Sequence, residues 1–413
     1  MRPRIAPVIW KNTVAFSIVQ ALNGAGTQLL VALGALTILQ LTGSLFMGGL
    51  AVTILQGSRL LISYPLGKIA DSYGRKPAMI VGLSLSIAGC PLIVAAVTFN
   101  SLAVFAIGTL VFGMGIGAAQ QLRVAIADMY PPDKRGGALG FLLTGSLLGA
   151  LAGPVILIGT EHLAVSIQVD NLALPWMALP ILTIFALFLV LRVKPDPKQI
   201  GLNLELYWPN YLRVTNIAEK SHLGVKSFLK SNVLASSAAC FAPAQGVMAM
   251  LMASTPLVLD QHGHSLPTIS LAITIHVFGM YGFSIPLGRL ADLLGRKIVL
   301  FLGMIIIAIG ATLVPLSGAY FFICLGIFLV GIGWSAVFVA TTALIADAVG
   351  TQQRGRAIGI NDSLAASFSI GLPFLGGIIA AGWGLMIVGL LGSVLVLLPL
   401  PLLLNLKSKK TVV

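Results

Sequence analysis

The sequence predicts an all-α membrane protein of twelve transmembrane helices, arranged as two pseudo-symmetric six-helix bundles. Three observations carry that expectation. Of the 413 residues, 57% are hydrophobic and only 9% are charged, whereas a soluble domain carries about 25% charged residues. Apolar stretches of about 20 residues recur along the chain, the length that crosses a bilayer as a helix. One polar segment also occurs twice, once in each half. The composition excludes an ordinary soluble enzyme, whose surface could not be covered, and equally excludes a disordered chain.

Taken in order, the first six spans fall near 12–33, 45–67, 78–98, 103–128, 138–159 and 175–192. Arg2, Arg4 and Lys11 precede the first, and without a small-residue cleavage site it reads as a retained helix. The second six fall near 231–257, 267–288, 298–316, 320–346, 357–379 and 386–405. The domains expected are thus a bundle over 1–192, a cytoplasmic linker over 193–230 and a bundle over 231–413. Pro195 and Pro197 break the sixth helix. In this segment, Tyr207, Trp208 and Tyr211 beside Arg213, Lys220 and Lys226 suit either a helix lying on the inner membrane surface or a mobile basic linker. Cys90, Cys240 and Cys324 all sit in apolar runs and read as small buried hydrophobes.

The charges test this map. Of the 25 basic residues, 23 fall in the seven segments that share one side of the membrane when the N-terminus is cytoplasmic. The other two, Arg59 and Arg123, lie inside helices, so no outer loop carries any. That distribution obeys the positive-inside rule and places both termini in the cytoplasm, with a bacterial inner membrane the expected location. The formal net charge of +13 therefore reports topology and contact with anionic membrane lipid. No basic, aromatic-interleaved surface suits a nucleic acid.

The duplicated segment reads PLGKIADSYGRK at 65–76 and PLGRLADLLGRK at 286–297. A second pair, IAD at 126–128 with RG at 135–136, returns as IAD at 345–347 with RG at 354–355. Two near-equal offsets across a central linker describe a duplicated six-helix unit. The repeated segment resembles the signature loop of the major facilitator superfamily, G-x-x-x-D-x-x-G-R-K. It matches at Gly67, Asp71, Gly74, Arg75 and Lys76, and again at Gly288, Asp292, Gly295, Arg296 and Lys297. The resemblance covers essentially the whole chain and implies the major facilitator fold. Gly67 suits a close helix approach at the inner face, Asp71 can cap a facing helix N-terminus, and Arg75 has a natural partner in Asp128. Asp292, Arg296 and Asp347 form the equivalent set in the second half. Together these read as a conformational latch that holds the inner side closed.

The resemblance to the drug:proton antiporter branch is partial. Where those proteins carry R-x-x-Q-G in the fourth helix, this chain has Val111-Phe112-Gly113-Met114-Gly115. Gly145, Gly149, Gly153 and Pro154 match their fifth-helix pattern, but Leu157 and Ile158 replace the final glycines.

Charged groups in hydrocarbon cost at least about 2.5–3.5 kcal/mol and mark functional sites. Arg59, Arg123, His276 and Asp362 are such groups. Arg59 lies about 12 Å and Asp362 about 10 Å from the inner helix ends at a rise of 1.5 Å per residue. The family fold implies that the second and eleventh helices face each other, which suggests an Arg59–Asp362 ion pair opened by protonation of Asp362. The alternatives pair Asp362 with Arg123, or make it a cation contact. Arg123 either meets an anionic solute group or reaches the inner interface. His276 is a proton carrier or a satisfied core histidine. Gln20, Asn23, Thr27 and Gln28 form a polar stripe suited to a cavity wall or to helix-to-helix glue. Trp334, Asn232 and Gln245 are further cavity candidates. Asp260, His262 and His264 share an outer loop, but their spacing is a weak metal signal, and no metal or cofactor is expected.

The reading is a monomeric secondary active transporter that moves a small organic solute by alternating access, with proton-coupled efflux as the leading mode. Proton-coupled uptake or exchange of an organic anion is the alternative, since Arg59 and Arg123 outnumber Asp362. An integral membrane enzyme would need paired histidine ligands, a thiolate site or a Ser/His/Asp constellation, and none is readable.

Overall fold

A computed structural model of the chain describes residues 7–43, 50–118, 120–168, 173–208, 223–262, 266–316 and 319–405. Among the described residues it is helix and turn, without strands. In hydrocarbon every backbone N–H and C=O must be satisfied within its own segment, so apolar runs of this length form helices. The chain separates into two compact units, residues 1–129 with 142–215, and residues 130–141 with 216–413.

The first unit contains α1 (Pro7–Thr42), α2 (Leu50–Tyr73), α3 (Arg75–Thr98), α4 (Leu102–Ala118), α5 (Gln120–Met129), most of α6 (Arg135–Ile167), α7 (Leu174–Arg192), α8 (Pro197–Leu202) and α9 (Leu204–Tyr207). Its core gathers Leu29 and Leu30 of α1, Leu55 of α2, Ile93 of α3, Phe105 and Phe112 of α4, and Trp176 and Leu179 of α7. Phe112 and Trp176 meet edge to face at 5.4 Å, an arrangement that aromatic quadrupoles favour.

The second unit holds the 3₁₀ turn Pro132–Lys134 and the first residues of α6, followed by α10 (Val225–Lys230), α11 (Asn232–Gln261), α12 (Leu266–Gly282), α13 (Ser284–Leu294), α14 (Arg296–Leu316), α15 (Tyr320–Ala348), α16 (Arg354–Trp383), α17 (Leu385–Leu397) and α18 (Leu400–Leu404). Here α14 and α15 press backbone to backbone. A Cβ on Gly303 would lie 2.9 Å from the Gly333 carbonyl oxygen, and one on Gly310 would lie 2.5 Å from that of Gly326. Glycines seven residues apart on both helices therefore let the pair close, as small residues do in membranes.

Ten helical stretches, from Arg75–Thr98 to Leu385–Leu404, are long and apolar enough to cross a membrane among the described residues. With α1 and α2 ahead of them, each of the twelve expected spans has its helix. On α7 the lipid-facing side is plain. Ile181, Ile184, Phe185, Phe188 and Leu191 are exposed, while Leu179, Thr183, Ala186 and Val190 on the opposite side are buried. An apolar stripe of that size is intolerable in water and at home in lipid.

The helices outrun the predicted spans, because backbone pairing continues past the apolar slab. α1 begins before Lys11, and α2 runs to Tyr73 with α3 starting at Arg75. The signature segment is therefore two helix ends hinged on Gly74, and its repeat is hinged on Gly295. These glycines have φ of +115° and +94°, values that side chains adopt only with strain. In the central segment, Trp208 is buried and donates its indole N–H to the Met129 carbonyl at 3.0 Å. Its one polar atom thus finds a partner at the end of α5. Tyr211, Arg213 and Lys220 fall outside the described residues.

Candidate functional site

In the first unit, α2 ends with Asp71, α3 begins with Arg75, and α5 ends beside Asp128. The Arg75 guanidinium donates to Asp71 Oδ1 at 2.6 Å and to Asp128 Oδ2 at 2.7 Å. All three side chains are buried, Arg75 and Asp128 completely. A planar fork can meet two carboxylates at once, which an ammonium cannot do with the same geometry. Gly67 is buried in α2 above the clasp.

Asp196, unremarked in the sequence, braces the clasp from below. Its carboxylate accepts the backbone N–H of Arg75 at 3.1 Å and of Lys76 at 2.9 Å, the open end of α3. It also caps α8 through the Lys198 N–H at 2.8 Å. Two helix N-termini thus share one carboxylate, placed where their dipoles favour negative charge. Lys198 Nζ bonds the Asp71 carbonyl. Lys76 Nζ reaches the other way and donates to the Leu191 carbonyl at 2.7 Å, at the end of α7.

The second unit repeats the pattern with an addition. Arg296 donates to Asp292 Oδ1 at 2.6 Å and to Asp347 Oδ2 at 3.3 Å. Lys297 Nζ donates to the Leu404 carbonyl at 2.8 Å, as Lys76 does to Leu191. Asp292 also accepts the backbone N–H groups of Gly136 at 2.9 Å and Gly137 at 2.7 Å, capping the start of α6. The capping chemistry expected of Asp71 is thus visible at its repeat, Asp292. Gly288 and Gly136 lie so close that a Cβ on Gly288 would meet the Gly136 backbone. Arg135 pairs with Asp347, and Arg296 also bonds the Pro132 carbonyl. Ser284 Oγ donates to the Gly140 carbonyl at 2.9 Å. Two carboxylates, two backbone carbonyls and two arginines therefore fasten residues 130–140 to α13, the start of α14 and the end of α15.

The interior groups are placed as follows. Arg59 is half-buried on α2 and donates to Gln56 Oε1 at 3.1 Å. Asp362 is half-buried on α16, in the second unit. Arg123 is buried on α5. It lies five residues before Asp128, about 140° around the helix, so the two do not share a face. His276 is buried on α12 with Nδ1 2.7 Å from the Ile327 carbonyl. That contact fixes the proton on Nδ1 and holds the ring against α15, an arrangement in keeping with a core histidine. The polar stripe of α1 works largely between helices. Gln20 donates to Ser146 Oγ at 2.8 Å, Asn23 to the Ile116 carbonyl at 3.4 Å, and Thr27 to the Asn23 carbonyl at 3.2 Å. Gln28 is half-buried next along the stripe. The surroundings of Gly153, the side chains of Pro154 and Asp260, and all of His264 lie outside what the structure describes.

Two spans of the chain, 16–265 and 237–412, match the family model of the Major Facilitator Superfamily. The chain belongs to the Major Facilitator Superfamily. Like other members of the superfamily it is a multi-pass membrane transporter and not an enzyme. The riboflavin transporter RfnT of Brucella anthropi is 26% identical over 97% of this chain and 96% of its own. The multi-drug resistance efflux pump PmrA of Streptococcus pneumoniae is 38% identical over 118 residues, 27% of each chain. Among solved structures, the human organic anion transporter MFSD10 superposes with a TM-score of 0.76 at 16% identity, over 96% of this chain and all of that one.

Sequence reasoning found the Asp71–Arg75–Asp128 residues through the duplication of the signature segment. It missed Asp196, one of three acids in a basic linker. It also missed the Arg135–Asp347 pair, although the repeated RG dipeptide at 135–136 and 354–355 marked the position.

Proposed function

We propose that this superfamily member exports small organic compounds by alternating access, driven by the entry of protons. The observation that carries the reading is the pair of carboxylate–arginine clasps, Asp71–Arg75–Asp128 and Asp292–Arg296–Asp347, built into both halves at the ends of helices. Such clasps, each an arginine shared between two carboxylates, act as an inner latch that opens and closes in each cycle. The latch residues are Gly67, Asp71, Gly74, Arg75, Asp128, Asp292, Arg296 and Asp347, with Gly153 and Pro154 shaping the fifth span. Export takes support from the partial match to PmrA, and a small heterocyclic or otherwise organic cargo from the full-length match to RfnT.

Coupling is assigned to Asp362, with Arg59 as its counter-charge. At an effective dielectric of about 20, unit charges 4 Å apart attract by about 4 kcal/mol before desolvation. Neutralising the carboxylate removes that attraction, and a tenfold change in state ratio needs only about 1.4 kcal/mol. The protein is taken to act as a monomer in the bacterial inner membrane with both termini cytoplasmic, solvated by anionic lipid on its basic side.

The test is solute-dependent proton flux in proteoliposomes with an imposed pH gradient. Wild type is expected to dissipate the gradient when solute is added, Asp362→Asn is not, and the exchange of Arg59→Asp with Asp362→Arg restores what each single change loses. Flux unaffected by Asp362→Asn, or no rescue in the exchanged protein, would overturn the assignment. A second reading, uptake or exchange of an organic anion, is favoured by one observation: buried Arg123 adds a second interior cation to Arg59 against the single acid Asp362. Accumulation of labelled carboxylates by wild type and its loss in Arg123→Ala would select that reading.

A further inference from the structure

The second unit contains an aromatic group that neither the clasps nor the coupling residues use. Trp334 and Phe338, one turn apart on α15, stack with ring centroids 4.9 Å apart and planes 24° apart. Tyr281 of α12 stands edge-on to Trp334 at 6.2 Å, and Phe241 of α11 edge-on to Phe338 at 5.7 Å. Trp334 and Phe338 are nearly buried, at 6% and 7% exposed, whereas Tyr281 and Gln245 are half-buried. The group therefore has a rigid floor of two stacked rings and an accessible rim of one ring and one amide.

The amide is oriented by chemistry. The Trp334 indole can only donate, and its Nε1 lies 2.5 Å from Gln245 Oε1, so the Gln245 carbonyl must face the indole. Its NH₂ group then points away, and among the described residues it makes no hydrogen bond. Gln245 and Trp334 each lie midway along a helix, about 20 Å from the helix ends at 232 and 348. At that depth an amide with two open donors is disfavoured against lipid and favoured against a polar partner.

We infer that Tyr281, Trp334 and Gln245 form a recognition site for planar heteroaromatic solutes carrying a hydrogen-bond acceptor at the ring edge. The flat ring packs against the Tyr281 and Trp334 rings, and the acceptor takes the Gln245 NH₂. The inference rests on the transport reading above and adds the class of cargo to it. Sequence reasoning had named Trp334 and Gln245 separately as cavity candidates. Their hydrogen bond makes them one unit.

The test measures binding and pH-driven transport of three probes by the full chain in proteoliposomes. They are norfloxacin, planar with edge carbonyls; ethidium, whose planar ring system lacks an edge acceptor; and tetraphenylphosphonium, which is not planar. Wild type is expected to bind norfloxacin most tightly. Trp334→Leu should weaken norfloxacin and ethidium by about tenfold and leave tetraphenylphosphonium unchanged, with Trp334→Phe restoring most of the loss. Gln245→Leu should weaken norfloxacin alone. The site assignment is overturned if no planar probe binds while another solute still drives proton flux, or if these variants weaken all three probes alike. Absence of proton flux with every solute would instead count against the transport reading.

Discussion

Replacing Arg75 with alanine should be among the most damaging single changes in the first unit. Its guanidinium is fully buried and holds two carboxylates at 2.6 and 2.7 Å, one of them, Asp128, also fully buried. Removing one partner of a buried ion pair costs about 3–5 kcal/mol, because the remaining charge is left in a low-dielectric site. Here two acids would be stranded and would also repel each other, so the upper part of that range applies. For a unit of about 200 residues, with about 2–4 °C per kcal/mol, the midpoint of thermal unfolding should fall by about 10 °C or more. The assay is thermal unfolding of purified protein in detergent, with Arg75→Lys beside Arg75→Ala. Lysine keeps the charge but not the fork, so it should fall between wild type and alanine. If Arg75→Ala lowers the midpoint by less than about 2 °C, about one kcal/mol on the same scale, the clasp is not the structural element described here.

Three further expectations follow from other contacts. Asp196→Ala frees the N–H groups at the starts of α3 and α8, and should cost about 1–2 kcal/mol in the same unfolding assay; Asp196→Asn, which keeps an acceptor, should recover part of it. Gly310→Leu places a side chain against the Gly326 carbonyl, 2.5 Å from the position of its Cβ; overpacking costs about 1–3 kcal/mol, and the variant should be recovered from membranes in lower yield, which gel filtration would show. Asp292→Ala removes the caps of Gly136 and Gly137 together with the Arg296 pair. It should reduce solute flux in proteoliposomes at least tenfold while lowering stability less than Arg75→Ala, because the second clasp is partly exposed.

Much of the fold was legible because lipid leaves the chain few options. An apolar run of sufficient length must be a helix, and basic residues mark where it ends. The duplication of a polar segment then exposed Asp71, Arg75, Asp292 and Arg296 without any structure. What the sequence hid were the contacts between residues far apart in the chain that share no pattern. Asp196 sits among lysines and prolines, and only folding brings it beneath α3. Gln20 and Asn23 occupy the same helical stripe whether they line a cavity or join helices, and only the fold shows that their partners are Ser146 Oγ and the Ile116 carbonyl. Helix ends were misjudged for a related reason. Hydropathy falls at the membrane boundary, while the hydrogen-bond ladder continues until a positive-φ glycine such as Gly74 or Gly295 stops it.

The latch is tested most directly at Ser284, which is fully buried and bonded to the Gly140 carbonyl beside the second clasp. With Ser284→Cys in an otherwise unaltered chain, whose three cysteines are all buried, the measurement is the rate of maleimide labelling in membranes, with and without Asp292→Ala. Slow labelling that rises at least tenfold when Asp292 is removed is the result a latch requires. Equal rates in the two proteins would mean that Asp292 does not hold this region shut.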